Sequence, residues 1–124
     1  MFCPYCGQQA KYVDSKVVYG RSYGMIYLCQ PCDAYVGVHK GTNEPLGRLA
    51  NKELRYWKMA AHEAFDPIWK TKKMKRNNAY KWLAEQLRLS PEETHIGMFD
   101  ITMCKIVIEI CKKYKGENHG KQRT

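Results

Sequence analysis

Cys3-Pro4-Tyr5-Cys6 and, after a gap of 22 residues, Cys29-Gln30-Pro31-Cys32 decide how the first third of this chain is read. Two residues between cysteines let both sulfurs turn toward one ion. The backbone N–H groups of such a turn point at the sulfurs and stabilise their charge. Gly7, directly after the first pair, permits the tight turn. Two such knuckles on adjacent hairpins complete a tetrahedral site in which Cys3, Cys6, Cys29 and Cys32 hold one Zn2+. Four protein ligands leave no open position, so the predicted zinc is structural and not catalytic. So small a unit buries little core. Metal binding worth roughly 10–16 kcal/mol compensates. Cys-Pro-Tyr-Cys is also the active-site string of glutaredoxins, which place a strand before it and a helix directly after. Here a strand pattern follows, so the redox reading is set aside.

Outward from the cysteines, the first third reads as short strands. Ala10–Val13, Lys16–Tyr19, Met25–Leu28 and Ala34–Val38 are rich in β-branched and aromatic residues. Asp14-Ser15 and Gly20–Gly24 separate them with turn chemistry. A loop follows to about Leu49, broken by Gly41, Asn43, Pro45 and Gly47. Asn51 caps a helix whose Leu54, Trp57, Ala61, Ala64 and Phe65 recur at helical spacing. Asp66-Pro67 is read as a restart or kink. Asn78 is read as the cap of another helix, carrying Tyr80, Leu83 and Leu87. Ser90-Pro91-Glu92-Glu93 has capping-box spacing. Asp100 caps a last helix, with Cys104, Val107, Ile108 and Cys111 on one side and Gly116 as its stop. Cys104 and Cys111, about 10 Å apart along that helix, are expected to be core residues and not ligands.

The expected fold is therefore α+β. An N-terminal zinc ribbon of short antiparallel strands (1–38) and a connecting loop (39–50) lead to a bundle of three to four helices (51–116), against which the ribbon packs. A flexible tail (117–124) ends the chain. With 124 residues, 44% of them hydrophobic and 27% charged, the composition is globular. No apolar run reaches the ~18–20 residues of a membrane helix, and no secretory signal opens the chain. A cytoplasmic protein is expected, and six cysteines there are thiols or ligands and not a disulfide framework.

The formal charge of +9 favours an anionic partner. The excess is concentrated in residues 39–76, with ten basic residues against four acidic. Lys70-Thr71-Lys72-Lys73-Met74-Lys75-Arg76 holds five cations in seven positions. It is read either as a solvated linker or as a phosphate-contacting patch helped by Arg55, Lys58 and Lys81, with Arg21 and Lys40 as further phosphate contacts. The nine tyrosines and three tryptophans are candidate stacking surfaces for bases, although most, Trp57 and Trp82 included, are expected to pack internally. Catalytic constellations are missing. Gly37–Thr42 lacks phosphate-loop spacing, and His62-Glu63 is followed by Asp66 where a zinc-protease helix needs histidine. The zinc-deaminase pattern fails too, and the carboxylates are scattered.

Several strings together carry a family resemblance: Cys3–Gly7, Tyr19–Gly24, Cys29–Thr42, Pro45–Gly47, Ala61-His62, Phe65–Pro67, Tyr80–Ala84 and His95–Phe99. Over residues 3–111 the chain resembles the small zinc-finger-containing, zinc-ribbon proteins of uncharacterised function found in bacteria and their phages. The resemblance implies a zinc ribbon joined to a helical part, with the four cysteines as ligands. It implies no activity. The leading expectation is a non-catalytic protein that binds DNA or RNA through its basic surface. The alternative is a protein-interaction adapter with a purely structural zinc, docking through the aromatic ribbon face or the His95–Phe99 turn.

Overall fold

The computed structural model of the chain describes residues 1–71 and 74–123, the last nine of these by backbone alone. Two compact units follow one another, Met1–Arg55 and Tyr56–Thr124.

The first unit is built on a three-stranded antiparallel sheet of β1 (Lys11–Asp14), β2 (Met25–Cys29) and β3 (Ala34–Gly37), in that order. Tyr12 faces Tyr27, and Tyr27 faces Val36. Because side chains alternate along a strand, these residues share one face with Cys29 and Ala34. That face carries the ribbon core of Cys3, Ala10, Cys29, Ala34 and Leu49, with Tyr27, Cys32 and Val36 against it. Residues 39–50 are more than a connector. Val38 bridges to Pro45, Tyr35 exchanges backbone hydrogen bonds with Ala50, and Leu49 is fully buried.

Lys16–Tyr19 is not the expected strand but a single helical turn, α1. Its β-forming Val17 and Val18 are overruled by their flanks. Asp14 accepts the Lys16 N–H on Oδ1 and the Ser22 hydroxyl on Oδ2. Those two bonds, the Lys16 N–H first, hold the Asp14 carboxyl below its usual range. Ser15 supplies its carbonyl to the N–H groups of Val18 and Tyr19, and its buried hydroxyl accepts the Tyr23 N–H at 2.7 Å. Gly20 closes the turn at φ +79°, a conformation that costs glycine least.

Helices make up the rest. α2 (Lys52–Lys70) starts as expected, with Asn51 Oδ1 accepting the Leu54 N–H. It continues through Pro67 instead of restarting there. The proline forfeits one ladder hydrogen bond, and the ring of Phe65 beside it is anchored in the core. α3 (Arg76–Leu87) begins two residues before the expected Asn78 cap, from an extended Lys75. It closes at Arg88 in the left-handed region. The Ser90/Glu93 capping box forms around a 3-10 turn at Pro91–Glu93. A second such turn, Ile96–Met98, buries Ile96 and leaves Met98 outside. Asp100 caps α4 (Ile101–Arg123) by accepting the Met103 N–H.

α4 does not stop at Gly116. A helical glycine costs only about 1 kcal/mol against alanine and clashes with nothing, so neighbouring helix formers carry the backbone past it. Cys104, Val107 and Cys111 line one buried side of α4, as expected of core residues. Phe65 packs on Tyr80 at 4.7 Å between α2 and α3, and Trp82 on Tyr114 at 4.9 Å between α3 and α4. No helix among the described residues is long and apolar enough to cross a membrane.

Candidate functional site

The first knuckle is a tight hairpin. Cys3 donates its N–H to Gln8 O, Gly7 donates to Cys3 O at 2.9 Å, and Phe2 bridges to Gln9. Gly7 sits at φ +77° to make that turn. β1 follows it and no helix does, which is a knuckle's arrangement and not a thiol-redox one. The second knuckle is the four-residue connection between β2 and β3, turned by Asp33 at φ +49°.

The Sγ atoms of Cys3, Cys6, Cys29 and Cys32 all lie within 4.8 Å of one another. Cys6 and Cys29 are 3.6 Å apart. A tetrahedron with ~2.3 Å metal–sulfur bonds has sulfur–sulfur edges of ~3.8 Å, so the cluster is the size of one zinc site. Disulfide sulfurs would be ~2.05 Å apart, and all six cysteines are free.

Backbone N–H groups pull down the thiols of the two leading cysteines, against opposing effects. Burial raises the Cys3 thiol, but the N–H groups of Tyr5 and Cys6 together with the Cys29 and Cys6 thiols leave it lowered. At Cys29 the Cys32 N–H lowers the thiol, while burial and the neighbouring sulfurs leave it raised. Burial, then the sulfurs of Cys6, Cys29 and Cys3, pushes Cys32 up to about 12. Four thiols this close cannot all ionise on their own. A divalent cation reverses that balance by giving each thiolate an opposite charge. When bound, zinc would be held by these four sulfurs alone and would supply folding energy and no open coordination position. Tyr5, inside the first knuckle, accepts the Asn51 N–H on its hydroxyl and so ties the knuckle to the start of α2.

The expected phosphate-contacting residues fall in two places. In the first unit, Lys40 stands on the exposed turn 39–44. That turn spends its own polar groups on itself: the Thr42 hydroxyl donates to His39 O and accepts the Glu44 N–H. Arg55 is committed internally, donating to Asp33 O at 2.6 Å and Ala50 O at 2.9 Å and pairing with the Asp33 carboxylate. Arg21 lies 5.7 Å from the ring centre of Tyr23.

In the second unit, Lys58 sits near Cys104, opposing the rise that burial imposes on that thiol. Lys70 and Arg76 each lie 5.6 Å from the Trp69 ring centre, and Arg76 also lies 4.9 Å from Tyr80. Lys75 is exposed beside them. Lys72 and Lys73 lie outside the described residues.

The sequence names an aromatic ribbon face without specifying which rings meet on it. Tyr19 meets Tyr23 and Tyr35 edge-on at 5.6 and 5.8 Å, and Arg55 covers Tyr35 at 4.1 Å. The string Tyr19-Gly20-Arg21-Ser22-Tyr23-Gly24 carries the only local hint, since glycines around tyrosines mark a turn that can display rings.

No curated protein matches the chain, and no solved structure does. A profile of the DUF3268 family, described as a zinc-finger-containing domain, matches residues 1–114. With the four-cysteine cluster in place and the match covering nearly its whole length, the chain belongs to this family of zinc-finger-containing domains.

Proposed function

We propose that this is a non-catalytic nucleic-acid-binding protein whose zinc holds the ribbon and whose basic residues contact phosphates. One observation carries the reading. At the approach of α2 to α3, the cations of Lys70 and Arg76 share the Trp69 ring, and Arg76 also rests on Tyr80. Aromatic contacts of this kind hold a guanidinium in place at little further entropy cost, while its N–H groups remain able to donate to phosphate oxygens. Net charge agrees, since the second unit carries 14 Lys and Arg against eight Asp and Glu. Of the other expected contacts, Arg21 and Lys40 stay exposed, whereas Arg55 serves the ribbon itself.

The test is a titration of the zinc-loaded chain against DNA and RNA at several salt concentrations. Binding that weakens steeply with salt supports the reading. Charge reversal at Lys70, Lys75 and Arg76 together should flatten the log–log salt slope by about 2–3, at ~0.7–0.9 per phosphate contact. Absence of binding at low salt overturns it. The adapter alternative then leads, docking through the aromatic ribbon face or the His95–Phe99 turn, where Met98 is exposed.

A further inference from the structure

The sheet face opposite the ribbon core has its own organisation. Lys11 faces Leu28 and Leu28 faces Tyr35, so these three form one row across β1, β2 and β3. α1 stands over this face. Between them runs a groove of about 720 Å³, lined by Lys11, Val17 and Leu28, by Gln8, Gln9 and Gln30 from the two knuckles, and by Asp33. That volume lies within the ~300–1,000 Å³ of small-ligand sites. From the Tyr35 end of the same row a ladder of rings leads outward, Tyr35 to Tyr19 to Tyr23. Its inner end is clamped by Arg55 and its outer end flanked by Arg21. The outer rings are open to solvent, Tyr19 at 52% and Tyr23 at 70% exposure.

We propose that this face receives an unpaired base, which makes single-stranded nucleic acid the substrate class; the inference rests on the nucleic-acid reading above. The exposed rings, the glutamines and the apolar residues of this face each have a use for such a ligand. Exposed tyrosine faces stack on bases whatever their identity. Arg21 supplies a cation for the adjoining phosphate. The three amides each offer donors and an acceptor, the two functions a base edge presents. Val17 and Leu28 give the ring an apolar wall. A duplex hides its base faces in its own stack and cannot use the ladder. The basic residues around Trp69 contact backbone phosphate, common to both forms, so strand preference has to come from the ribbon.

The experiment measures fluorescence anisotropy of labelled single-stranded DNA, single-stranded RNA and duplex DNA of one sequence, titrated with the full zinc-loaded chain. Single strands should bind about tenfold tighter than duplex. A Y19A/Y23A variant should lose about tenfold on single strands and little on duplex, and Y19F/Y23F should restore single-strand binding. Comparing the two single strands shows which sugar is preferred. An unchanged zinc content per chain verifies that each variant still holds its ribbon. Equal affinity for duplex and single strand, or single-strand binding untouched by Y19A/Y23A, overturns the inference. If K70E/K75E/R76E still weakens both forms alike, the nucleic-acid reading survives that result. Absence of binding to every probe removes both.

Discussion

The guanidinium of Arg55 sits 4.1 Å from the ring centre of Tyr35 while donating hydrogen bonds to the carbonyls of Asp33 and Ala50. One side chain thereby fastens the second knuckle, the strand after it and the end of the 39–50 segment. Arg55→Ala should cost about 2 kcal/mol, the scale of hydrogen bonds from a charged donor, read as a drop in the denaturant midpoint. The exposed ion pair with Asp33 adds at most about 1 kcal/mol, so Asp33→Asn should be far milder. Arg55→Lys should not rescue, because an ammonium cannot reproduce the planar fork over the ring. Equal effects of Arg55→Ala and Asp33→Asn would show that the ion pair, and not the carbonyl clamp, matters.

Metal content separates the two classes of cysteine. Native mass spectrometry should find one zinc ion per chain. Cys29→Ser should abolish stoichiometric binding, and C104S/C111S should leave it at one. A strong chelator should unfold the first unit, because its core is built around Cys3 and Cys29. Zinc retained by Cys29→Ser would contradict the four-sulfur site.

Alkaline pH should loosen the ribbon through Tyr19. Partial burial, then its hydrogen bond with Tyr35, pushes the hydroxyl of the half-exposed Tyr19 up to about 12 from an ordinary 10. The native state therefore holds this proton more tightly than the unfolded chain. Its contribution to stability is whole below pH 10 and is lost as pH rises toward 12. Thermal melts across that window should show the loss, and Tyr19→Phe should flatten it. A Tyr19→Phe profile that matches wild type would assign the loss elsewhere.

Two substitutions in α2 should move stability in opposite directions. Phe65→Ala empties a fully buried site against Tyr80 and should cost about 3–5 kcal/mol. Pro67→Ala restores the missing N–H to a helix that already runs through position 67, and should stabilise by about 1 kcal/mol or more. Calorimetry of the two variants checks both signs.

The metal ligands were legible in the sequence because their chemistry is local: the spacing within each pair and the glycine after the first specify the knuckles. So were the caps at Asn51, Ser90 and Asp100, where one side chain satisfies a nearby N–H. Lys16–Tyr19 misled because its β-forming residues lie between Asp14 and Gly20, whose turn-forming bonds decide the outcome. Of the two readings of Pro67 the restart fails, because packing of a helix tolerates a lost hydrogen bond that a pattern reads as a break. The tyrosine ladder was out of reach for another reason. Tyr35 and Tyr19 meet only once the sheet has closed, and nothing in their spacing announces it.

All four zinc ligands precede Asp33, and the compact unit that contains them closes at Arg55. A ribosome adding ~5–20 residues per second needs about 3–14 s more to make the 69 residues from Tyr56 to Thr124. The complete ligand set is therefore synthesised before the helices that follow it. The four-sulfur site can take up zinc on the nascent chain, so that metal supply acts on the ribbon before α4 has been made.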